Sequence, residues 1–253
     1  MDINIYKCIL DEASRFRLPV TYDPGPTLFQ SITIDKAIDM GIKCIEHGKS
    51  PWQAVLTDKL TRELEQLKNA GQKEKSEFTD KVLSMGIESV SRLKLDKLLN
   101  KMRSNNVSFC PTLHVFKDYI DRPEVYVENK DEQKNIVKTF KILYDMSRFF
   151  TSEFIKAGIN ILVGQDGWNP RFTFNEIQLL KECGLSNIEI IRGATIYPAE
   201  WLHVSDEYGT IELNKKANTL ILNQNPLDNI DNIEYVFGVI KDGEFYQAIN
   251  YEG

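Results

Sequence analysis

Four short apolar runs alternate with stretches of helical periodicity, and that alternation restricts this chain more than any other feature. The runs are LPVTY (18–22), IKCIEH (42–47), VSFCPTLH (107–114) and INILVGQD (159–166). Helical patterning precedes and separates them. Residues 3–16 carry Ile5, Cys8, Ile9, Ala13 and Phe16 at helical spacing, and residues 32–40 read as a helix closed by Gly41. The polar segment 57–105, with charges at i,i+4 and thin apolar stripes, predicts surface helices that include an insertion at about 50–105. Residues 130–157 present an aromatic face (Phe140, Tyr144, Phe149, Phe150, Phe154) ended by Gly158, and helices are expected over 173–183 and 186–203. Apolar strands separated by helices predict an α/β fold of parallel βα units, whose functional groups gather at the carboxyl ends of the strands.

Those ends are Tyr22-Asp23, Glu46-His47, Thr112-Leu113-His114 and Gln165-Asp166. Carboxylate, imidazole, imidazole and carboxylate make up the donor set of a hard-to-borderline metal site or of an acid–base pair. Beyond residue 205 the pattern changes to YGTIELNKKANTLILN and IEYVFGVIKDGEFY, with the turn signal Asp242-Gly243. This predicts a small antiparallel β segment over 205–253 beside a βα body over 1–204. Ile211, Leu220, Ile221, Leu222, Val236, Val239 and Ile240 are expected to be mostly buried there, and no site residue is expected from the segment.

Composition excludes several function classes. The 253 residues include 42% hydrophobic and 27% charged residues, and the net charge of −6 has no basic stripe, so nucleic acid is not an expected partner. No apolar stretch reaches the roughly 18 to 20 residues that cross a bilayer, and the amphipathic start MDINIYKCILDEASRF does not read as a signal peptide. No membrane partner is expected, and on this chain alone the expected compartment is the cytoplasm. Cys8, Cys44, Cys110 and Cys183 form no CxxC pair and read as reduced, buried thiols. No strand is followed by a glycine-rich phosphate loop, which disfavours an open doubly wound nucleotide domain.

The runs GLSNIEIIRGATIYPAEWLHV, YGTIELNKKANTLILNQNPLDNI and VIKDGEFY, following IEHG and AGINILVGQDG in this order, resemble the amidohydrolase superfamily, in its imidazolonepropionase and prolidase-like branch. The resemblance covers nearly the whole chain. It implies the carboxyl-terminal half of a TIM-like (β/α)8 barrel, strands five to eight, with part of a small β-sandwich, and a divalent metal, usually zinc, at the barrel mouth. It implies that His47 is a strand-six metal ligand, and that Asp166 is both a ligand and the general base for the attacking water. The family's fifth-strand histidine falls where this chain has Asp23, a candidate third ligand. His114 follows the family's seventh-strand position and is a candidate substrate-facing residue, as is Trp168 from its place just after the last run. The family's first-strand H-x-H pair and its fourth-strand ligand have no counterpart here. The implied activity is therefore metal-dependent hydrolysis of a C–N bond, cyclic amide or dipeptide-like, on a small-molecule substrate. It is expected to need an N-terminal half or a homo-oligomeric partner. A non-catalytic relative, or a subunit completed by another chain, is the alternative.

Each residue also has a plainer reading. His47 can be a strand-end histidine bonded to a carbonyl, and Asp166 a turn residue ahead of Gly167. Asp23 can shape the turn into Pro24-Gly25-Pro26. His203 reads as structural and the aromatic stripe as packing, while Trp52 and Trp168 suit a pocket wall or a buried loop equally.

Overall fold

The computed structural model describes residues 3–25, 27–167 and 169–248. The chain opens with α1 (Ile3–Arg15), β1 (Thr21–Tyr22), α2 (Ile34–Asp39) and β2 (Cys44–Glu46). The polar segment then folds into α3 (Asp58–Gln66), α4 (Gln72–Met85) and α5 (Arg92–Ser104), as its charge spacing predicts. β3 (Ser108–Cys110), α6 (Leu113–Asp121) and the long α7 (Lys130–Lys156) follow, then α8 (Phe172–Glu182), α9 (Asn187–Ala194) and α10 (Ile196–Trp201). The tail contributes β4 (Thr219–Leu222), β5 (Val236–Lys241) and β6 (Glu244–Gln247).

β1, β2 and β3 form a parallel sheet in that order, with Cys44 opposite Ser108 and Glu46 opposite Cys110. Alternation along these strands sorts the side chains onto two faces. Ile45, Phe109 and Ile161 join the main core, in which the α7 residues Phe150 and Phe154 are fully buried, while Cys44, Cys110 and Leu162 cluster separately with Tyr197 and Trp201 packed against them. Burial pushes the thiols of Cys44 and Cys110 up, away from thiolate chemistry. The aromatic stripe packs as expected, with Phe154 4.5 Å from Phe109 between ring centroids.

Several expectations need correction. The run 159–166 is not a full strand: Ile161 alone bridges Phe109 in parallel, held by Phe109 N–H to the Asn160 carbonyl and Leu162 N–H to the Phe109 carbonyl, both 2.9 Å. The run 107–114 stops being a strand at Cys110, because Thr112 turns into the left-handed region and starts α6. The helix expected over 186–203 divides at Thr195 into α9 and α10. Cys8 is exposed, since only Tyr6 of α1 is buried.

The tail forms the antiparallel sheet β4-β5-β6, its β5–β6 hairpin turning through Asp242 and Gly243, both with positive φ, as an Asp-Gly turn requires. The expected burial fails. Ile211 lies outside any strand and is 88% exposed, Leu220 and Val239 are exposed, and Ile221, Leu222, Val236 and Ile240 are half-buried. Three strands have two faces, and among the described residues no further sheet lies across them, so alternate side chains stay in solvent. An open cleft of about 920 Å³ separates α9 from β4. No helix among the described residues is long and apolar enough to cross a membrane.

Candidate functional site

β2 ends by putting His47 at φ 65°, a left-handed conformation that histidine tolerates better than most residues. Its N–H donates to the Cys110 carbonyl at 2.9 Å and that of Gly48 to the Pro111 carbonyl at 2.7 Å, zipping the end of β2 to the end of β3. Gly48 is buried because α7 runs directly beneath it: a Cβ there would lie 2.9 Å from Ser147 Cα and closer still to Ser147 Cβ.

The ring is then fixed at one nitrogen and open at the other. His47 Nδ1 lies 2.8 Å from Thr112 Oγ1, while Nε2 is 3.5 Å from Asp23 Oδ2 and 3.9 Å from Asp166 Oδ2. When Nδ1–H donates to Thr112, Nε2 presents its lone pair to the two carboxylates. The His47 side chain is 18% exposed against 50% for Asp23 and 61% for Asp166, so the imidazole is largely sheltered while the carboxylates face solvent. Two carboxylates, one after β1 and one after the Ile161 bridge, thus approach the same nitrogen of the histidine that ends β2.

Asp23 does two things. Its Oδ1 accepts the Gly25 N–H at 2.8 Å, the turn-forming role, and its Oδ2 faces His47. Lys49 clamps the same turn by donating from Nζ to the Gly25 carbonyl at 2.9 Å; burial pulls its ammonium below the ordinary range and the nearby Asp23 charge offsets part of that.

The donor types suit a divalent ion. Two donors about 2.1 Å from a tetrahedral zinc stand about 3.4 Å apart, close to the two separations found here. Among the described residues, however, no group of three or more His, Cys, Asp or Glu side chains is placed so that it could hold a metal ion as it stands. Each carboxylate suits an ion in kind and stands from Nε2, the nitrogen left free to bind, at a spacing near that of two donors on one ion, but the three side chains are not yet gathered into one site.

His114 is buried on the first turn of α6, its ring 4.4 Å from that of Phe172 between centroids and its Nε2 3.4 Å from Asn175 Nδ2. Its Nδ1 has no hydrogen-bond partner, and burial lowers its basicity. Trp168 lies outside the described residues. Trp52 is a buried packing residue whose Nε1–H donates to Ser89 Oγ at 2.7 Å. His203, exposed just past α10, stands among the residues at the opposite ends of the strands, lining a cleft with Lys43, Ser108 and Ile159.

Two residues of this assembly carry no obvious mark in the strand ends, Thr112 and Glu176. Glu176 is fully buried on α8, and its two oxygens accept the Leu113 and His114 N–H groups at 2.9 and 2.7 Å. A signal existed: Glu176 falls on the buried stripe of α8 with Phe172, Ile177, Leu179 and Leu180, where an unpaired carboxylate is out of place. Burial raises its pKa to about 7 despite the two bonds that pull the other way.

A carboxyl held near 7 when folded and near its ordinary value of 4.5 when unfolded favours folding fully below pH 4.5, and loses that contribution as pH rises through 7. Between about pH 4.5 and 7.5, the native chain is expected to lose up to about 3 kcal/mol relative to Glu176→Gln, the equivalent of a shift of roughly two pH units. Urea unfolding of both proteins across that range measures it; parallel curves would show that Glu176 is not buried as a titrating acid.

Comparison with known proteins gives a consistent picture. Residues 151–246 match the model of the amidohydrolase family. Among solved structures, the chain is similar to an amidohydrolase (20% identity, TM-score 0.66) and to a Xaa-Pro dipeptidase with bound methionine in its active site (18%, TM-score 0.65). It covers 96% of itself and 48% of the other chain in both cases. A putative prolidase from Bifidobacterium longum matches at 22% identity and TM-score 0.64, over 95% of this chain and 49% of the prolidase. No curated protein sequence matches. The amidohydrolase resemblance read from the sequence is thus found in both the family model and the fold. The chain spans about half the length of the solved structures it matches.

Proposed function

We propose that this chain supplies part of a metal-dependent hydrolase centre acting on C–N bonds of cyclic amides or dipeptide-like substrates. The single observation that carries the reading is the approach of Asp23 and Asp166 to His47 Nε2, with the other ring nitrogen already engaged by Thr112. His47, Asp166 and Asp23 are the ligands in this reading. A divalent ion held by them, zinc for this donor set, would lower the pKa of its water to about 7 and would polarise a substrate carbonyl. Asp166, the most exposed of the three, receives the proton of the attacking water and orients it. Thr112 holds the His47 ring in one orientation, and the Lys49 clamp holds the Asp23 turn over the strand ends. His114 and Trp168 remain our candidates for the substrate wall.

In the same reading the parallel sheet is strands five to eight of a (β/α)8 barrel and the tail sheet is part of a sandwich. The outer edges of β1 and of the 161 segment pair with no other strand among the described residues, and the tail leaves apolar side chains exposed beside an open cleft. These features favour completion by further strands, from a complementary polypeptide or a second copy. A subunit of that kind is our second reading of the function.

Zinc titration by calorimetry tests the ligand set. The chain alone is expected to bind zinc weakly and to hydrolyse no substrate, because one imidazole and two exposed carboxylates leave much of the coordination to water. His47→Ala is expected to weaken binding by more than the roughly 10- to 100-fold that loss of an outer partner costs, and Asp23→His to tighten it. Submicromolar binding untouched by His47→Ala would remove His47 from the ligand set. Hydrolysis of a dipeptide or an imidazolone by the purified chain would show that no complementary half is needed.

A further inference from the structure

We propose that Glu176 is a positioning residue for the candidate centre: by capping α6 from another helix, it frees the Thr112 hydroxyl to orient His47. The inference rests on the reading of His47 as a ligand and names a residue which that reading does not contain.

The first N–H groups of a helix have no partner within it, and a threonine immediately before the helix ordinarily accepts from one of them through its side chain. Thr112 occupies that place before α6 and makes no such bond. Its backbone is left-handed (φ 48°, ψ 49°), an uncommon conformation for a β-branched residue, and its Oγ1 instead meets His47 Nδ1 at 2.8 Å. In that conformation the hydroxyl lies on His47 and not on the helix end. The bonds it leaves unmade are supplied by Glu176, whose oxygens take the Leu113 and His114 N–H groups as a pair. A carboxylate at the amino end of a nine-residue helix also meets the favourable end of its dipole.

Glu176 is the only charged side chain fully buried among the described residues, and α7 and α8 give it no cation or hydroxyl partner in place of these backbone groups. The same helix reaches the third ligand. α8 begins six residues after Asp166, and its first residue, Phe172, lies against Gly167, where a Cβ would meet the ring at 2.7 Å. Phe172 also packs against His114, the two rings tilted by 55°, so α8 braces the His47 cradle through Glu176 and the Asp166 loop through Phe172. Outer-shell groups of this kind fix the tautomer and direction of a ligating imidazole.

The test reads His47 directly, without metal, by nitrogen-15 NMR of the full chain. The native imidazole is expected in a single tautomer with its proton on Nδ1. Thr112→Val, which leaves the Glu176 cap in place, and Glu176→Gln, which replaces one acceptor oxygen by an amide nitrogen, are both expected to give a mixture of tautomers. Thr112→Ser is expected to keep the native signal. In zinc titration the first two variants are expected to bind about 10- to 100-fold more weakly than native, as losses of outer-shell partners do. A folded Glu176→Gln with an unchanged His47 tautomer would overturn the proposal. Should Glu176→Gln not fold, Glu176→Asp is read in the same way, and amide exchange in the native chain decides in any event. Leu113 and His114 N–H are expected to exchange slowly, and exchange at the rate of an open helix end would show that the cap does not form. Absence of zinc binding by the native chain would count against the ligand reading, while the tautomer result would still stand or fall on Glu176.

Discussion

Replacing Phe154 by alanine is expected to cost about 3 to 5 kcal/mol of folding stability, the largest single loss anticipated outside the site. Phe154 is fully buried in the last turns of α7, and its ring lies 4.5 Å from that of Phe109 at an interplanar angle of 55°. Truncation removes a large apolar surface and leaves a cavity between helix and sheet that the rigid β3 backbone cannot close. It also removes an aromatic pair worth roughly 1 kcal/mol beyond its area. Against a total stability of about 5 to 15 kcal/mol, this places the variant near the threshold of folding. Urea unfolding monitored by circular dichroism measures the change; a loss below about 1 kcal/mol would mean that α7 does not pack on β3 in solution as it does here.

Adding one methyl group at Gly48 is expected to be nearly as damaging and to strike the site itself. A Cβ at Gly48 falls inside contact distance of Ser147 Cβ, and 2.8 and 2.9 Å from Ser147 Oγ and Cα. Two of these atoms belong to the α7 backbone and its first side-chain carbon, so no rotamer change relieves the clash. Overpacking of this kind costs about 1 to 3 kcal/mol and occasionally more. To escape it, β2 must lift from α7, which strains the Gly48 N–H bond to Pro111 and carries His47 away from Thr112. Gly48→Ala is therefore expected to lose about 3 kcal/mol and the single His47 tautomer together. Adding Ser147→Gly is expected to recover part of both, since it removes the nearest atom and leaves Cα. Denaturation and histidine NMR on the two single variants and the double variant measure this. A Gly48→Ala chain as stable as native would show that the close approach of β2 and α7 is not real.

How much of the site was legible depended on the range of each interaction. The proximity of His47, Asp23 and Asp166 was legible because each follows a short apolar run, and in parallel βα units the ends of such runs share one edge of the sheet. The dual role of Asp23 was half legible: the turn into Pro24-Gly25 is local, whereas its second oxygen meets a residue 24 positions away. Glu176 left only a faint signal, a carboxylate on an apolar helix stripe, and nothing in its neighbours says which backbone groups it serves. Thr112 left none, because a threonine after a proline at a strand end is ordinary.

What the sequence by itself determined is the periodic part. Alternation placed Ile45, Phe109 and Ile161 on one face and Cys44, Cys110 and Leu162 on the other, and helical spacing marked the aromatic stripe of α7 for burial. These patterns lie within a few residues of one another and follow from backbone geometry alone. The exposed tail sheet, the single bridge at Ile161 and the trans cap on α6 were decided by tertiary structure. Whether an apolar strand face is covered depends on which layer lies across it, and whether Thr112 is free for His47 depends on a carboxylate more than 60 residues away. Those are contacts between distant parts of the chain, and local periodicity carries no information about which of them form.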